Sequence, residues 1–155
     1  MNKKGFTLIE LLIVVAIIGI VAAIAIPNLL TALQKGKQKA TMGDIKTIGN
    51  AIGAYLTAMS IVPTVIDMGG LLYLEPHFTK RVPRVDGWNF TWHYEFSGSV
   101  AANPDTYSVA SGGKGGAFLG MTQAPDAYLS ITMSDFEKDI IFSDGVFMLS
   151  PKVKK

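Results

Sequence analysis

The 155 residues leave room for one ordinary domain and a separate helix. With 49% apolar and 17% charged residues the chain is richer in apolar residues than a typical soluble domain, and its net charge is only +2. Lys35, Lys37, Lys39 and the terminal Lys152, Lys154 and Lys155 are too few to form the basic footprint of a nucleic-acid binder. No nucleic-acid partner is expected. Without cysteine, an exported domain must draw its stability from its core, a bound ion or its neighbours.

The apolar excess sits at the start. From Phe6 to Ile26, 18 of 21 residues are apolar, close to the length of helix that spans a bilayer core. The Leu, Ile, Val and Phe residues of this run favour insertion by about 4–8 kcal/mol in sum, against roughly 3 kcal/mol for the one acid, Glu10. Insertion therefore wins.

An ordinary secretory signal peptide is the rival reading, since Ala23-Ile24-Ala25 resembles a small-residue cleavage site. Three features oppose it. The run is longer than a usual signal-peptide core, it carries a carboxylate, and it continues without a break into a second helical pattern. Lysines on both flanks leave the positive-inside count undecided.

Gly5-Phe6-Thr7-Leu8-Ile9-Glu10-Leu11-Leu12-Ile13-Val14-Val15 resembles the prepilin cleavage and methylation motif of type IV pilins and type II secretion pseudopilins. The resemblance covers about residues 3–30. It implies a leader of residues 1–5, cut by a prepilin peptidase between Gly5 and Phe6, followed by N-methylation of Phe6. It also implies a membrane-spanning and filament-core helix over 6–26, with its N-terminus on the cytoplasmic side. Pro27 stands where the family places a helix-kinking proline.

An ionisable group inside a membrane span is by default a functional group with a partner to be named. After cleavage, Phe6 would carry a new amino terminus four residues from Glu10. Glu10 of one subunit would then neutralise Phe6 of the next and set the axial register. The intramolecular alternative is a contact within one helix, since residues i and i+4 are neighbours.

Beyond Pro27, Ile45, Ile48, Ile52, Tyr55 and Met59 recur at three- and four-residue steps. This spacing predicts an amphipathic spine helix over 27–59 with one buried stripe. Gly36, Gly43, Gly49 and Gly53 each weaken that helix by about 1 kcal/mol relative to Ala. Either they permit close approach of the sheet or of neighbouring subunits, or the helix merely tolerates them.

Residues 60–155 read as a globular head. A connecting region with Pro63, Gly69-Gly70, Pro76 and Pro83 has room for a short helical turn around Leu71–Leu74. Trp88, Phe90, Trp92, Tyr94 and Phe96 then alternate with polar residues, which predicts a half-buried strand whose aromatic face packs on the spine. Thr106–Ala110 predicts a second strand. Gly112-Gly113-Lys114-Gly115-Gly116 fails the phosphate-loop pattern, because Gly follows Lys114, and reads as a flexible turn. Ile140-Ile141-Phe142 and Val146-Phe147-Met148-Leu149 flank Ser143-Asp144-Gly145 as a hairpin. The fold class is α+β: a long N-terminal helix on a small antiparallel sheet. His77 and His93 lack ligand-like spacing, and neither a Cys nucleophile nor a G-x-S-x-G elbow is present. A structural rather than enzymatic role follows.

Val82-Pro83, Asp86-Gly87-Trp88-Asn89 and Tyr107-Ser108-Val109-Ala110-Ser111-Gly112 resemble, with gaps, the head of the major type II secretion pseudopilin. Absence of cysteine agrees, because many type IVa pilins close a C-terminal loop with a disulfide. The resemblance implies identical subunits in a helical filament, an inner-membrane assembly platform, minor pseudopilins, and membrane lipid before assembly. It also implies calcium between the Ser-x-Gly loop and a later Asp-Ile segment. Ser111, Asp139 and carbonyls near Gly112–Gly116 are the corresponding donors here, with Gly115 where the family often has an acid. The competing reading of Asp139 is a position near a turn begun by Ser134 and closed by Glu137. Two functional alternatives stay open: a type IVa pilin for adhesion, motility or DNA uptake, and a monomeric membrane-anchored binding domain.

Overall fold

The computed structural model describes residues 5–97, 104–118, 120, 126–128 and 133–152. Residues 1–4 of the expected leader lie outside the described residues. The chain divides into two compact units, Met1–Gln34 and Lys35–Lys155.

Helix α1, Leu8–Met59, runs through both the apolar and the amphipathic sequence patterns. Pro27 lies inside it and supplies no N–H. Side chains add bonds to the surrounding backbone: Asn28 Nδ2 donates to the Ile24 carbonyl at 3.2 Å and Thr31 Oγ1 to the Pro27 carbonyl at 3.0 Å. Such supplementary bonds are how a helix accommodates proline in apolar surroundings.

In the second unit, α1 buries Gln38, Thr41, Ile45, Ile48, Gly49, Ala51 and Ile52. The predicted stripe is therefore present but ends early. Tyr55 is half-buried, edge-on to Phe78 with ring centroids 5.1 Å apart, and Met59 is 54% exposed. The helix stops at Met59 and the chain turns at Ser60 in the left-handed region (φ 58°), so Met59 lies beyond the sheet's cover.

Helix α2, Asp67–Leu71, and a 3-10 turn, Leu72–Leu74, occupy the connecting region. The sheet comprises β1 (His93–Ser97), β2 (Thr106–Ser111), β3 (Asp126–Tyr128), β4 (Ile140–Ser143) and β5 (Val146–Pro151), in the order β1-β2-β4-β5-β3. Four of these strands form the expected antiparallel sheet, and β3 adds to β5 in parallel at the edge. Three residues are too few to show an alternating pattern, so β3 was not foreseen from sequence.

The aromatic strand is shorter than predicted. It begins at His93, and only Trp92 and Tyr94 of its five aromatic residues are fully buried. Asp86 bends the preceding residues around its carboxylate, and Asn89 adopts φ 73°, so Trp88 and Phe90 leave the strand. The hairpin link is two residues rather than three. Asp144 (φ 47°) and Gly145 (φ 89°) both have the positive φ of the primed turns that suit strand twist.

Ile45, Ile48, Ile52, Trp92, Tyr94, Tyr107, Ile140 and Phe142 join in one core, which fixes the sheet on the second half of α1.

Candidate functional site

The apolar segment has no cover within the chain. Phe6 is 76% exposed, and every Leu, Ile and Val from Leu8 to Ile26 is also exposed. Its most apolar 18-residue window has a mean hydropathy of 3.1 and is 0% buried. Among the described residues this is the one helix long and apolar enough to cross a membrane. A contiguous apolar surface of this size marks a lipid or protein contact.

At its start, Thr7 and Glu10 form a reciprocal cap. The Thr7 N–H and hydroxyl both donate to Glu10 Oε2, at 2.8 and 2.5 Å, and the Glu10 N–H approaches Thr7 Oγ1 at 3.3 Å. The Leu11 N–H donates to the Thr7 carbonyl, so Thr7 is the N-cap and Glu10 the third helical residue. Sequence reasoning paired Glu10 with Phe6 and missed this contact. The signal was present, since Thr-x-x-Glu before an apolar run is the capping-box pattern. With the Gly5–Phe6 peptide bond intact, no amine at Phe6 competes for the carboxylate.

In the head, Asp86 is a buried centre that sequence reasoning also missed. Its Oδ1 accepts the Trp88 and Phe90 N–H groups, each at 2.9 Å, while its Oδ2 accepts the Ser111 hydroxyl at 2.5 Å. Gly87 N–H donates to Thr41 Oγ1 at 3.0 Å, fastening this segment to α1. An Asp followed by Gly and an aromatic residue is a turn signal. Only tertiary structure brings Ser111 to it.

Within Gly112–Gly116 the structure forms a 3-10 turn over Gly113–Gly115. Gly113 is buried, and a side chain there would strike the carbonyls of Phe136 and Lys138. Lys114 Nζ lies 3.8 Å from Glu137 Oε1 across the same two segments. Ser111 pairs in register with Ile140, which puts Asp139, itself buried, next to the end of β2. Ser111 and Asp139 are thus brought near one another. The turn expected at Ser134–Glu137 is present as a 3-10 turn over Met133–Glu137. His93 stacks on Phe118 with centroids 4.5 Å apart.

A family model described as the prokaryotic N-terminal methylation motif matches residues 1–26. The type II secretion system core protein G of Vibrio cholerae is 32% identical over 127 residues, covering 74% of this chain and 85% of the relative. The chain belongs to the type II secretion core protein G family. The Dickeya chrysanthemi core protein G is 27% identical over 144 residues, covering 90% of this chain and 85% of that protein. The type IV major pilin PilA of Myxococcus xanthus is 54% identical, but over only 50 residues, 32% of this chain and 23% of that protein. No solved structure matched.

Of the calcium donors that the resemblance implied, the described residues show Ser111 beside the buried Asp139, without an acid at position 115. Calcium takes six to eight oxygens, and its affinity rises with ligand charge. Among the described residues no three His, Cys, Asp or Glu side chains gather to hold a metal. The Ser111 hydroxyl already donates to Asp86 and accepts from the Gly113 N–H, at 3.2 Å. Gly115 contributes no acid, and its neighbour Lys114 brings an ammonium to the loop.

Proposed function

We propose that this chain is the major structural subunit of a type II secretion pseudopilus, a filament of identical subunits whose assembly drives protein export. The observation that carries the reading is the wholly uncovered apolar helix with a capped carboxylate at its start. Membership of the core protein G family supports it across the head as well. The role is structural rather than catalytic.

In this reading a prepilin peptidase cuts between Gly5 and Phe6 and N-methylates Phe6. The mature subunit rests in the cytoplasmic membrane, spanning it once through residues 6–26, with its head in the periplasm. An inner-membrane platform and minor pseudopilins then receive it, and the apolar helix exchanges lipid for the helices of neighbouring subunits. Glu10 leaves its Thr7 cap and neutralises the Phe6 amine of the adjacent subunit. Pro27 marks the passage from the filament-core part of the helix to the spine of the head.

Mass spectrometry of the filament-assembled chain tests this. The expected result is an N-methylated terminus at Phe6, with Lys3 and Lys4 removed and basic and acidic side chains left equal in number. A terminus near Ile26, or a chain found only as a membrane-bound monomer, would refute the assignment. Recovery in long retractile surface fibres would point instead to a type IV pilin, a reading that the PilA similarity supports at the N-terminus alone.

A further inference from the structure

We propose that an acidic groove on the head receives the basic ridge of a second copy of this chain, an inference that rests on the filament reading above. The groove is open, about 540 Å³ in volume, and lies between α1 and the start of β2, where Gly49, Asn50, Gly53, Asp105, Asp144 and Gly145 line it. Gly53 leaves its floor bare, since a Cβ there would meet nothing within 4 Å. Asp105 and Asp144 are exposed at its wall, and the Tyr107 N–H fixes the second carboxylate by donating to Asp144 Oδ1 at 2.9 Å. Neither acid has an ion-pair partner among the described residues.

The opposite charge lies on the opposite flank of the same helix. Gly53 and Tyr55 are two positions apart, about 200° around α1, so the groove and the Tyr55 flank face away from one another. Phe78 packs edge-on against Tyr55 and leads into the segment that carries Lys80, Arg81 and Arg84, all exposed. Glu75 pins this segment: the Val82 N–H donates to its Oε1 at 2.6 Å and the Arg84 guanidinium to its Oε2 at 2.9 Å. Val82 itself is fully buried. With Arg84 engaged by Glu75, Lys80 and Arg81 are left on a fixed ridge without an ion-pair partner among the described residues.

Two patches of opposite sign on opposite flanks suit a head-to-tail contact, and a head-to-tail contact that does not close on itself builds an open helical filament. Either patch meeting its own copy would set like charges face to face. Exposed ion pairs add little affinity. Their complementarity sets register and excludes misplaced partners. A second copy therefore fits the groove, because its ridge carries the charge that the groove lacks.

The test uses the full chain in cells that assemble it. Asp105→Lys alone and Arg81→Glu alone should each cut the yield of filaments by about tenfold, because each sets like charges opposite one another. Both substitutions in one chain should restore most of that yield. Thermal midpoints of the single variants should stay at the wild-type value, which separates a lost contact from lost folding. The chain has no native cysteine, so engineered thiols report the contact directly. A chain with both Asp105→Cys and Arg81→Cys should give a ladder of covalent multimers with a thiol cross-linker, and neither single substitution should. Wild-type filaments unaffected by the single reversals, or not recovered by the combined one, would overturn the groove contact and leave the filament reading standing. A missing ladder, or dimers from Asp105→Cys alone, would overturn it equally. A wild-type chain that is cut at Phe6 yet forms no filament would overturn both.

Discussion

The Tyr107 hydroxyl donates to the Gly49 carbonyl at 2.9 Å, joining β2 to the spine helix through a bond between residues 58 apart in sequence. Gly49 is also where the sheet comes closest, since a Cβ there would run into the Phe142 ring. Gly36, Gly43 and Gly53 face open space within the chain, so only Gly49 is required by the sheet. Gly49→Ala should therefore destabilise the head by about 1–3 kcal/mol through overpacking, despite a helix-propensity gain of about 1 kcal/mol. Tyr107→Phe should cost about 1 kcal/mol. Urea unfolding of both variants checks the values, and a Gly49→Ala chain as stable as the parent would contradict the close approach.

Thr7 and Glu10 separate helix capping from filament assembly. Glu10→Ala should still enter the membrane, because it removes a charge that costs roughly 3 kcal/mol in a span. It should nevertheless be incorporated poorly beside a wild-type copy. Thr7→Ala removes the cap and leaves the carboxylate, so its incorporation should stay close to wild type. Counting tagged subunits in filaments from coexpressing cells decides the matter. Equal incorporation of Glu10→Ala would rule out a carboxylate–amine pair between subunits.

Two buried tyrosines predict the alkaline limit of the head. Burial pushes the Tyr94 phenol well above its ordinary value of 10, and burial with the nearby Asp144 charge raises that of Tyr107. Both hydroxyls donate to carbonyls, Tyr94 to Pro63 and Tyr107 to Gly49. The native state therefore keeps protons that the unfolded chain starts to lose near pH 10. The tyrosines' contribution to stability should be flat below that pH and should fall above it. Midpoints measured between neutrality and strongly alkaline pH test this, and the double Phe variant should show a shallower decline.

Asp44 follows the same sign in the acidic range. Partial burial raises its carboxyl above the ordinary value of 3.8, so the native state disfavours the charged form. Its contribution to stability therefore falls as pH rises through that window. Asp44→Asn should raise the neutral-pH midpoint slightly and have no such advantage once the pH drops below the carboxylate range. A lower midpoint for Asp44→Asn at neutrality would show that the charge is stabilised by a partner instead.

What the sequence determined by itself was everything carried by local composition and period. The run from Phe6 to Ile26 declares an uncovered helix because hydropathy is a sum over adjacent residues. Ile45, Ile48 and Ile52 declare the buried stripe because helical spacing puts them on one face. Asp144 and Gly145 declare a turn because few residues accept two successive positive φ values. Only the tertiary structure decided which of the spine glycines meets the sheet, where the aromatic strand begins, and that β3 joins the edge in parallel. It alone brought Asp86 to Ser111, 25 residues away, and set Gly113 against the segment before β4. Those contacts depend on how loops return to one another, and no pattern of neighbouring residues encodes a distance across the fold.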